Sequence, residues 1–224
     1  MKKILFGISF ILFTAVAFAQ SDKGSKINEG IITYTVEWKL PQQMQAIAAN
    51  FPKELTVYFK GDSSSLKTQS PMYSSTNILN LKKDYERLLL DIPMAGKKIS
   101  VRFTPEDLDQ MQANMPELTS KPGSETKSIA GYTALKYEMT ENKSNQNFEA
   151  WFTKDAEIIP NSLSRFFDQS LGFPLEFTTF MNGLSLKAVV KEIKSTTVPA
   201  GSFSASADYE EMTFQQLMQM QRGR

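Results

Sequence analysis

The chain has 224 residues, of which 41% are hydrophobic and 22% are charged, and its formal net charge is +1. This apolar share is typical of a folded globular chain and exceeds that of disordered segments. The sequence contains no cysteine and no histidine, which excludes disulfide scaffolds, thiolate or imidazole metal sites and Ser-His-Asp catalysis.

The N-terminus has the pattern of a secretory signal peptide. Lys2 and Lys3 precede an apolar stretch, Ile4–Val16, and Ala17-Phe18-Ala19 supplies the small residues at which signal peptidase cleaves. The apolar run is shorter than the roughly 18 residues or more of a membrane span. We therefore expect cleavage after Ala19 rather than retention as a membrane anchor.

Cleavage changes the charge balance and indicates the compartment. The mature chain would carry 23 basic and 24 acidic side chains, a net charge of −1. It therefore lacks the excess of positive charge that is typical of nucleic-acid-binding proteins. It also has no cysteine for lipidation, so we expect an unlipidated periplasmic protein, monomeric and without a transmembrane anchor. The predicted parts are residues 1–19 as a cleaved signal peptide, 20–28 as a flexible N-terminal segment and 29–224 as one β-rich domain.

Period-two alternation of apolar and polar residues predicts about ten strands in the mature chain. In the first strand, apolar residues from Ile32 to Trp38 alternate with polar ones. Pro93–Gly96 and Asn182-Gly183 are hairpin-turn signals between two pairs of strands. The predicted strands span residues 32–38, 55–60, 64–68, 77–81, 85–92, 98–103, 132–140, 148–153, 175–181 and 184–193.

Helix signals are few. Short helices are predicted over residues 41–50 and 161–170, and a third follows Thr104, where Pro105 and two acidic residues are typical of a first turn. Thr213 and Gln216 form a capping-box pattern that predicts a helix over residues 214–221. We therefore predict an α+β fold, a single antiparallel sheet curved into an unclosed half-barrel and covered by a few short helices.

Acidic residues are the remaining candidates for catalysis or metal binding. Glu138 and Glu149 lie on neighbouring predicted strands, and Asp84, Glu86 and Asp91 form a second carboxylate group. Carboxylates on strands usually face solvent opposite lysines, so we expect no catalytic residue and no enzymatic activity. The acidic residues at positions 106, 107 and 109 suit a helix N-terminus better than a cation site, and we expect no metal and no cofactor.

Large, adaptable apolar side chains are abundant. Ten methionines remain after residue 19, and aromatic residues crowd the predicted strands. A curved sheet with such a concave face can hold an apolar ligand, although the same residues can also simply fill a core. Strand parity predicts these inward-facing, ligand-binding residues: Val36, Trp38, Val57, Phe59, Phe152, Phe177 and Leu186.

Several segments resemble a family of exported bacterial proteins that is known only as a domain of unknown function. The resemblance lies in Glu29–Tyr34, Leu55–Asp62, Leu90–Lys98, Glu125–Tyr132, Glu149–Asp155 and Gly172–Phe177, and it extends over Glu29–Met218. That family is similar at fold level to the periplasmic lipoprotein carriers LolA and LolB, which implies an unclosed antiparallel barrel with a cavity for acyl chains. Many relatives have a cysteine where Thr133-Ala134 stands here, so no thiol function transfers to this chain.

Two functions follow as hypotheses. The first is a periplasmic, non-enzymatic binding or carrier module for an apolar ligand, either a lipid or a lipoprotein acyl chain. The second is a cell-envelope interaction or scaffold module with a solid core, which meets a partner protein through a sheet edge or through the helix over residues 214–221.

Overall fold

A computed structural model describes residues 24–113, 115–181 and 183–222 of the chain. The predicted signal peptide therefore lies outside the described residues. The strands are β1 Ser25–Lys26, β2 Glu29–Lys39, β3 Glu54–Lys60, β4 Ser63–Gln69, β5 Ser74–Asn80, β6 Tyr85–Ile92, β7 Lys97–Arg102, β8 Leu118–Ile129, β9 Tyr132–Glu141, β10 Gln146–Thr153, β11 Ala156–Glu157, β12 Phe173–Met181, β13 Leu184–Ser195 and β14 Glu210–Met212. The α-helices are α1 Pro105–Ala113 and α2 Phe214–Arg222, and 3-10 helices span Gln42–Asn50, Leu81–Lys83, Pro93–Ala95 and Gln169–Leu171.

Twelve strands form one unclosed sheet in the order β14-β7-β6-β5-β4-β3-β2-β13-β12-β10-β9-β8. The prediction of ten antiparallel strands was wrong in number and in type, because β8 and β14 join the sheet and β14 pairs with β7 in parallel. The sheet consists of two antiparallel meanders, β2 to β7 and β8 to β13, which are joined where β2 pairs with β13. Thr68 on β4 lies 4.0 Å from the sulfur of Met181 on β12, so the sheet curves towards its inner face.

Neighbouring antiparallel strands place their connections at two opposite ends of the sheet. The end that carries residues 40–53, 70–73 and 93–96 is called the apical end. The end that carries residues 61–62 and 81–84 is called the basal end. The predicted turn at Pro93–Gly96 is therefore confirmed.

The alternation in β2 and β3 arises because one face of each strand is buried. Ile32 and Tyr34 are buried on the inner face, whereas Thr35 and Glu37 are exposed on the other. Strand β3 repeats the pattern with Leu55 and its alternate neighbours. The predicted inward parity of both strands is confirmed.

Both predicted capping sites exist. Gln216 N–H donates to Thr213 Oγ1 at 3.2 Å and Thr213 N–H donates to the Gln216 side chain at 2.8 Å, so α2 begins as the sequence predicts. At α1, Thr104 and Asp107 exchange the same pair of bonds. Among the described residues, no helix is long and apolar enough to cross a membrane.

The helix predicted over residues 161–170 is wrong, since this stretch forms turns and ends in the 3-10 helix Gln169–Leu171. Leu163 N–H donates to the side chain of Asn161 at 2.9 Å, and Asn161 N–H donates to Ser164 Oγ at 3.0 Å. These local bonds occupy the backbone groups that a helix would need. The segment predicted over residues 41–50 is helical, but as a 3-10 helix in which no residue is buried.

Residues 196–209, which we call the crossing segment, run back from β13 to β14. The segment lies against Leu89 and its neighbours on the face of β4 to β6 opposite the inner face. Lys98 Nζ donates to Asp208 at 2.6 Å and lies 5.8 Å from the ring centroid of Tyr209. The crossing segment thus connects β13 to β14, which is the edge strand beside β7.

Candidate functional site

The structure brings the seven residues predicted to bind a ligand into one apolar cluster. Five of them are buried in the core: Val57, Phe59, Phe152, Phe177 and Leu186. The other two, Val36 and Trp38, are partly buried and pack against the same cluster. Their predicted role in binding a ligand stays a prediction.

Residues 158–172, which we call the inner segment, cover this cluster. The ring of Phe167 lies 5.3 Å from that of Phe152 and 5.3 Å from that of Phe177, both nearly perpendicular to it. Leu163 is also buried there. Edge-to-face aromatic contacts of this kind add to the free energy of apolar burial, so the chain's own side chains fill this part of the inner face.

Polar contacts hold the inner segment at its buried side. Asn161 Nδ2 donates to Tyr34 Oη at 3.2 Å, and Thr179 Oγ1 donates to the carbonyl of Leu163 at 3.1 Å. Burial raises the pKa of Tyr34 far above its usual range, because the ionised phenolate would be desolvated. The Tyr34 hydroxyl therefore remains neutral and acts as a structural hydrogen-bond partner.

An ion pair fixes the inner segment to β5 and β6. Arg165 donates to the carboxylate of Glu86 at 2.5 Å, and Asn77 Nδ2 donates to the other oxygen of Glu86 at 2.9 Å. Ser162 Oγ in turn donates to Asn77 at 2.7 Å. Glu86 is almost completely buried, so a ligand that displaced the inner segment would leave its charge without a cation.

A concavity with a volume of about 560 Å³ lies at the basal end, and the two ends of the inner segment form part of its lining. We call it the basal groove. It lies where β1 pairs with β11 and where β12 begins. Its apolar lining residues are Ile27, Ala156, Ile158, Ile159, Pro160 and Phe173. This volume falls in the range of small-molecule sites, about 300–1,000 Å³.

Two lysines and one glutamate, Glu157, line the basal groove and leave it with a net positive charge. Lys26 Nζ lies 3.7 Å from Glu157, and both side chains are largely exposed, so this pair is weak. Lys154 also lines the groove and forms no ion pair with any described residue. The arrangement offers an apolar floor and a cationic rim, which suits a ligand with an apolar part and an anionic group.

The basal groove could not be predicted from sequence patterns, because the strands that form it are very short. Strands β1 and β11 have two residues each and pair in parallel, so neither shows an alternation. Ser25–Lys26 belongs to the segment predicted to be flexible, and in the structure it pairs in parallel with Ala156–Glu157. Residues 20–23 lie outside the described residues. The one local signal was the apolar pair Ile158-Ile159 after an acidic residue.

A second concavity, of about 540 Å³, lies over β8, β9 and β10. Glu138 and Glu149 are directly opposite each other there. Lys136 lies 2.7 Å from Glu149, and Lys121 lies 3.9 Å from Glu138. Lys136 donates hydrogen bonds to the carboxylates of Glu149 and Glu125, and these bonds raise the pKa of Lys136 above its usual range. These carboxylates serve as partners of lysines on an exposed face.

Two of the other acidic candidates, Asp107 and Asp91, have structural partners too. The carboxylate of Asp107 accepts a bond from the backbone of Thr104 at the start of α1. Asp91 lies 3.8 Å from Lys98. Among the described residues, no three acidic side chains lie close enough together to hold a metal ion.

No protein-family model matches this chain, and no curated protein matches its sequence. The resemblance described for Glu29–Met218 therefore stays a prediction, and the site must be judged on its geometry.

Proposed function

We propose that this protein is a periplasmic, non-enzymatic module that binds an apolar ligand with an anionic group, such as a fatty acid, and that it binds in the basal groove. The observation that carries the proposal is the combination, in one open concavity of about 560 Å³, of an apolar floor with Lys26 and Lys154 at the rim. A ligand could enter this groove without displacing any buried side chain. The predicted signal peptide supplies the argument for the periplasm.

The basal groove supports this proposal better than the inner face does. A ligand on the inner face would have to displace Leu163 and Phe167, which are buried and whose burial contributes about 2–3 kcal/mol each. It would also separate Arg165 from Glu86. These costs are large against a total stability of about 5–15 kcal/mol for a typical domain.

The alternative function, an envelope interaction module, has weaker support at the two surfaces proposed for it. Helix α2 packs its Leu217 onto the chain's own β7. The edge strand β8 is exposed along most of its length, but it contains Pro122, Lys121 and an irregularity between Pro122 and Thr126. Proline, lysine and bulges are the features that protect an edge against strand addition.

Native mass spectrometry of the mature protein, purified from a bacterial periplasm, tests the proposal. We expect a small amphiphile to be released on denaturation. A titration with a fluorescent fatty acid then compares the parent with Lys154→Glu and with Lys82→Glu, a matched charge reversal outside the groove. We expect several-fold weaker binding for Lys154→Glu alone, because the carboxylate loses a cation.

A clean protein mass without fatty-acid uptake would contradict the proposal. So would equal losses in Lys154→Glu and Lys82→Glu, since the groove would then have no specific role. Either result would favour the interaction module.

A further inference from the structure

The apical end carries an unusual set of exposed apolar side chains. Ile47 is 45% exposed, Met72 52%, Met94 87% and Phe180, next to last in β12, 46%. Among the described residues, one other large apolar side chain is exposed, Leu81 at 40%, and it lies at the basal end. Scattered exposed apolar residues are normal, but four of these five lie at the same end of the sheet. We call these four side chains, with residues 40–53, 70–73 and 93–96, the apical rim.

The curvature of the sheet brings parts of the rim together. Thr68, just before the connection 70–73, contacts Met181, which follows Phe180. Trp38 Nε1 donates to the carbonyl of Pro52 at 2.7 Å, and its ring lies 5.1 Å from that of Phe51. The segment 40–53 is thereby fixed at the same end as Met72.

The charged residues of the apical rim segments are positive, and the acidic residue that follows them, Glu54, is paired with Lys191 at 2.5 Å. The three segments 40–53, 70–73 and 93–96 contain no acidic residue, and their single charged residue is Lys53. Lys39 and Lys97 flank them at the ends of β2 and β7. These three lysines are exposed, and none of them forms an ion pair with a described residue. The basal turns, in contrast, carry Asp62 and the run Lys82-Lys83-Asp84.

Turns fix the backbone around two of the exposed methionines, Met72 and Met94. Pro71-Met72 and Pro93-Met94 repeat the same dipeptide in the two connections. Ser70 Oγ accepts bonds from the backbone N–H groups of Met72 and Tyr73, and Gly96 N–H donates to the carbonyl of Pro93 at 3.0 Å. These bonds fix the backbone of the two connections, so both methionine side chains are presented at the apical end.

We infer that the apical rim docks onto the surface of an anionic phospholipid bilayer. The apolar tips would enter the boundary between headgroups and acyl chains, while Lys39, Lys53 and Lys97 would face the lipid phosphates. Interfacial binding of this kind depends on buried apolar area together with cationic side chains near the surface. A bilayer fits better than a protein partner, because the exposed apolar side chains lie singly in separate connections, and a lipid surface accepts single apolar side chains without a matching shape.

Vesicle co-sedimentation of the mature protein tests the inference. The vesicles contain three parts of phosphatidylethanolamine to one of phosphatidylglycerol, and a second set contains phosphatidylcholine alone. We expect binding to the first set, and a loss of about tenfold or more in the double variant Met72→Asp with Met94→Asp, since each tip loses its apolar burial. The matched control, Leu81→Asp, changes the exposed apolar residue of the basal end and should bind as the parent does.

Charge reversal separates the two parts of the inference. The triple variant Lys39→Glu, Lys53→Glu and Lys97→Glu should lose its preference for the vesicles with phosphatidylglycerol. Lys154→Glu should bind vesicles normally, so that failure of the basal groove and failure of the rim are distinguishable. Absence of binding to either vesicle set, or equal losses in the double variant and in Leu81→Asp, would overturn the inference.

Discussion

The inner face of the sheet is covered in two different ways. Over the strands around β2, β12 and β13, the inner segment has almost no regular structure, yet it places Leu163 and Phe167 in a large buried cluster. Over β6 and β7, helices α1 and α2 cover a smaller cluster, in which Leu217 is buried while most helix side chains are only partly buried. Regular secondary structure is therefore no measure of how tightly a region packs.

The difference follows from what each cover contributes. The inner segment satisfies its own backbone with side chains such as Asn161, so it can follow the shape of the sheet and insert aromatic rings. A helix satisfies its backbone internally but offers a single stripe of side chains. We therefore expect the two regions to differ in local stability.

The largest expected effect comes from emptying the buried cluster. We expect Phe167→Ala to lower the free energy of unfolding by about 4 kcal/mol, because a ring that contacts Phe152 and Phe177 would leave a cavity. Urea denaturation followed by circular dichroism measures the change. The control, Phe180→Ala, removes an exposed ring and should cost less than about 0.5 kcal/mol; equal costs would remove the basis for the comparison.

The ion pair between the two regions gives the next effect. We expect Arg165→Met to cost about 3 kcal/mol, because the buried carboxylate of Glu86 would lose its cation. The double variant Arg165→Met with Glu86→Gln should recover part of the loss, since it removes the unpaired charge. Denaturation of Arg165→Met, Glu86→Gln and the double variant measures this, and a double variant as unstable as the sum of the two single changes would contradict the expected coupling.

A smaller and more local effect is expected at α2. Thr213→Ala should cost about 1 kcal/mol, because Gln216 N–H loses its capping partner. Hydrogen exchange should become faster in α2 and stay unchanged in β12. Thr213→Ser retains the hydroxyl and should exchange as the parent does, whereas faster exchange throughout the sheet would show that the two regions open together.

The smallest effect depends on pH and concerns the crossing segment. The hydrogen bond from Lys98 lowers the pKa of Asp208 from 3.8 to about 2. A depressed carboxyl pKa stabilises the fold above the unfolded pKa, and this contribution is lost as the pH falls from about 4 to about 2. The stability difference between the parent and Asp208→Asn should therefore be constant above that window and disappear within it.

Thermal unfolding at a series of pH values measures this difference. Lys98→Gln removes the cation that donates to Asp208, and in this background Asp208→Asn should show a much smaller difference over the same window. A difference between the parent and Asp208→Asn that persists at pH 2 would contradict the assignment to this ion pair.

Local chemistry made much of the fold predictable. The alternation around Tyr34 arises from burial of one face of β2. The hydrogen bond between Thr213 and Gln216 joins residues that are only three positions apart. Strand β8 was missed because Pro122, Gly123 and mostly exposed polar residues hide any alternation. Strand β14 has only three residues and pairs with a strand far away in sequence.

The site was harder to predict, because strand parity shows which residues face inward but not what covers them. The seven predicted residues do lie together, but the pattern over residues 161–170 predicted a helix, and no pattern placed Phe167 among them. The basal groove depends on the pairing of Lys26 with Glu157 across the chain. Such contacts between distant, irregular segments have no periodic signature.

The pairing of β2 with β13 has a consequence for the order in which the chain folds. Each meander forms from hairpins between consecutive strands, which close quickly, whereas Gly30 must find Ser195 near the other end of the chain. Strand β2 is the first long strand to be synthesised, and its partner β13 is nearly the last. The edge of β2 that later pairs with β13 is thus unpaired during synthesis. We expect the formation of the β2–β13 pairing to be the slow step when the denatured chain refolds.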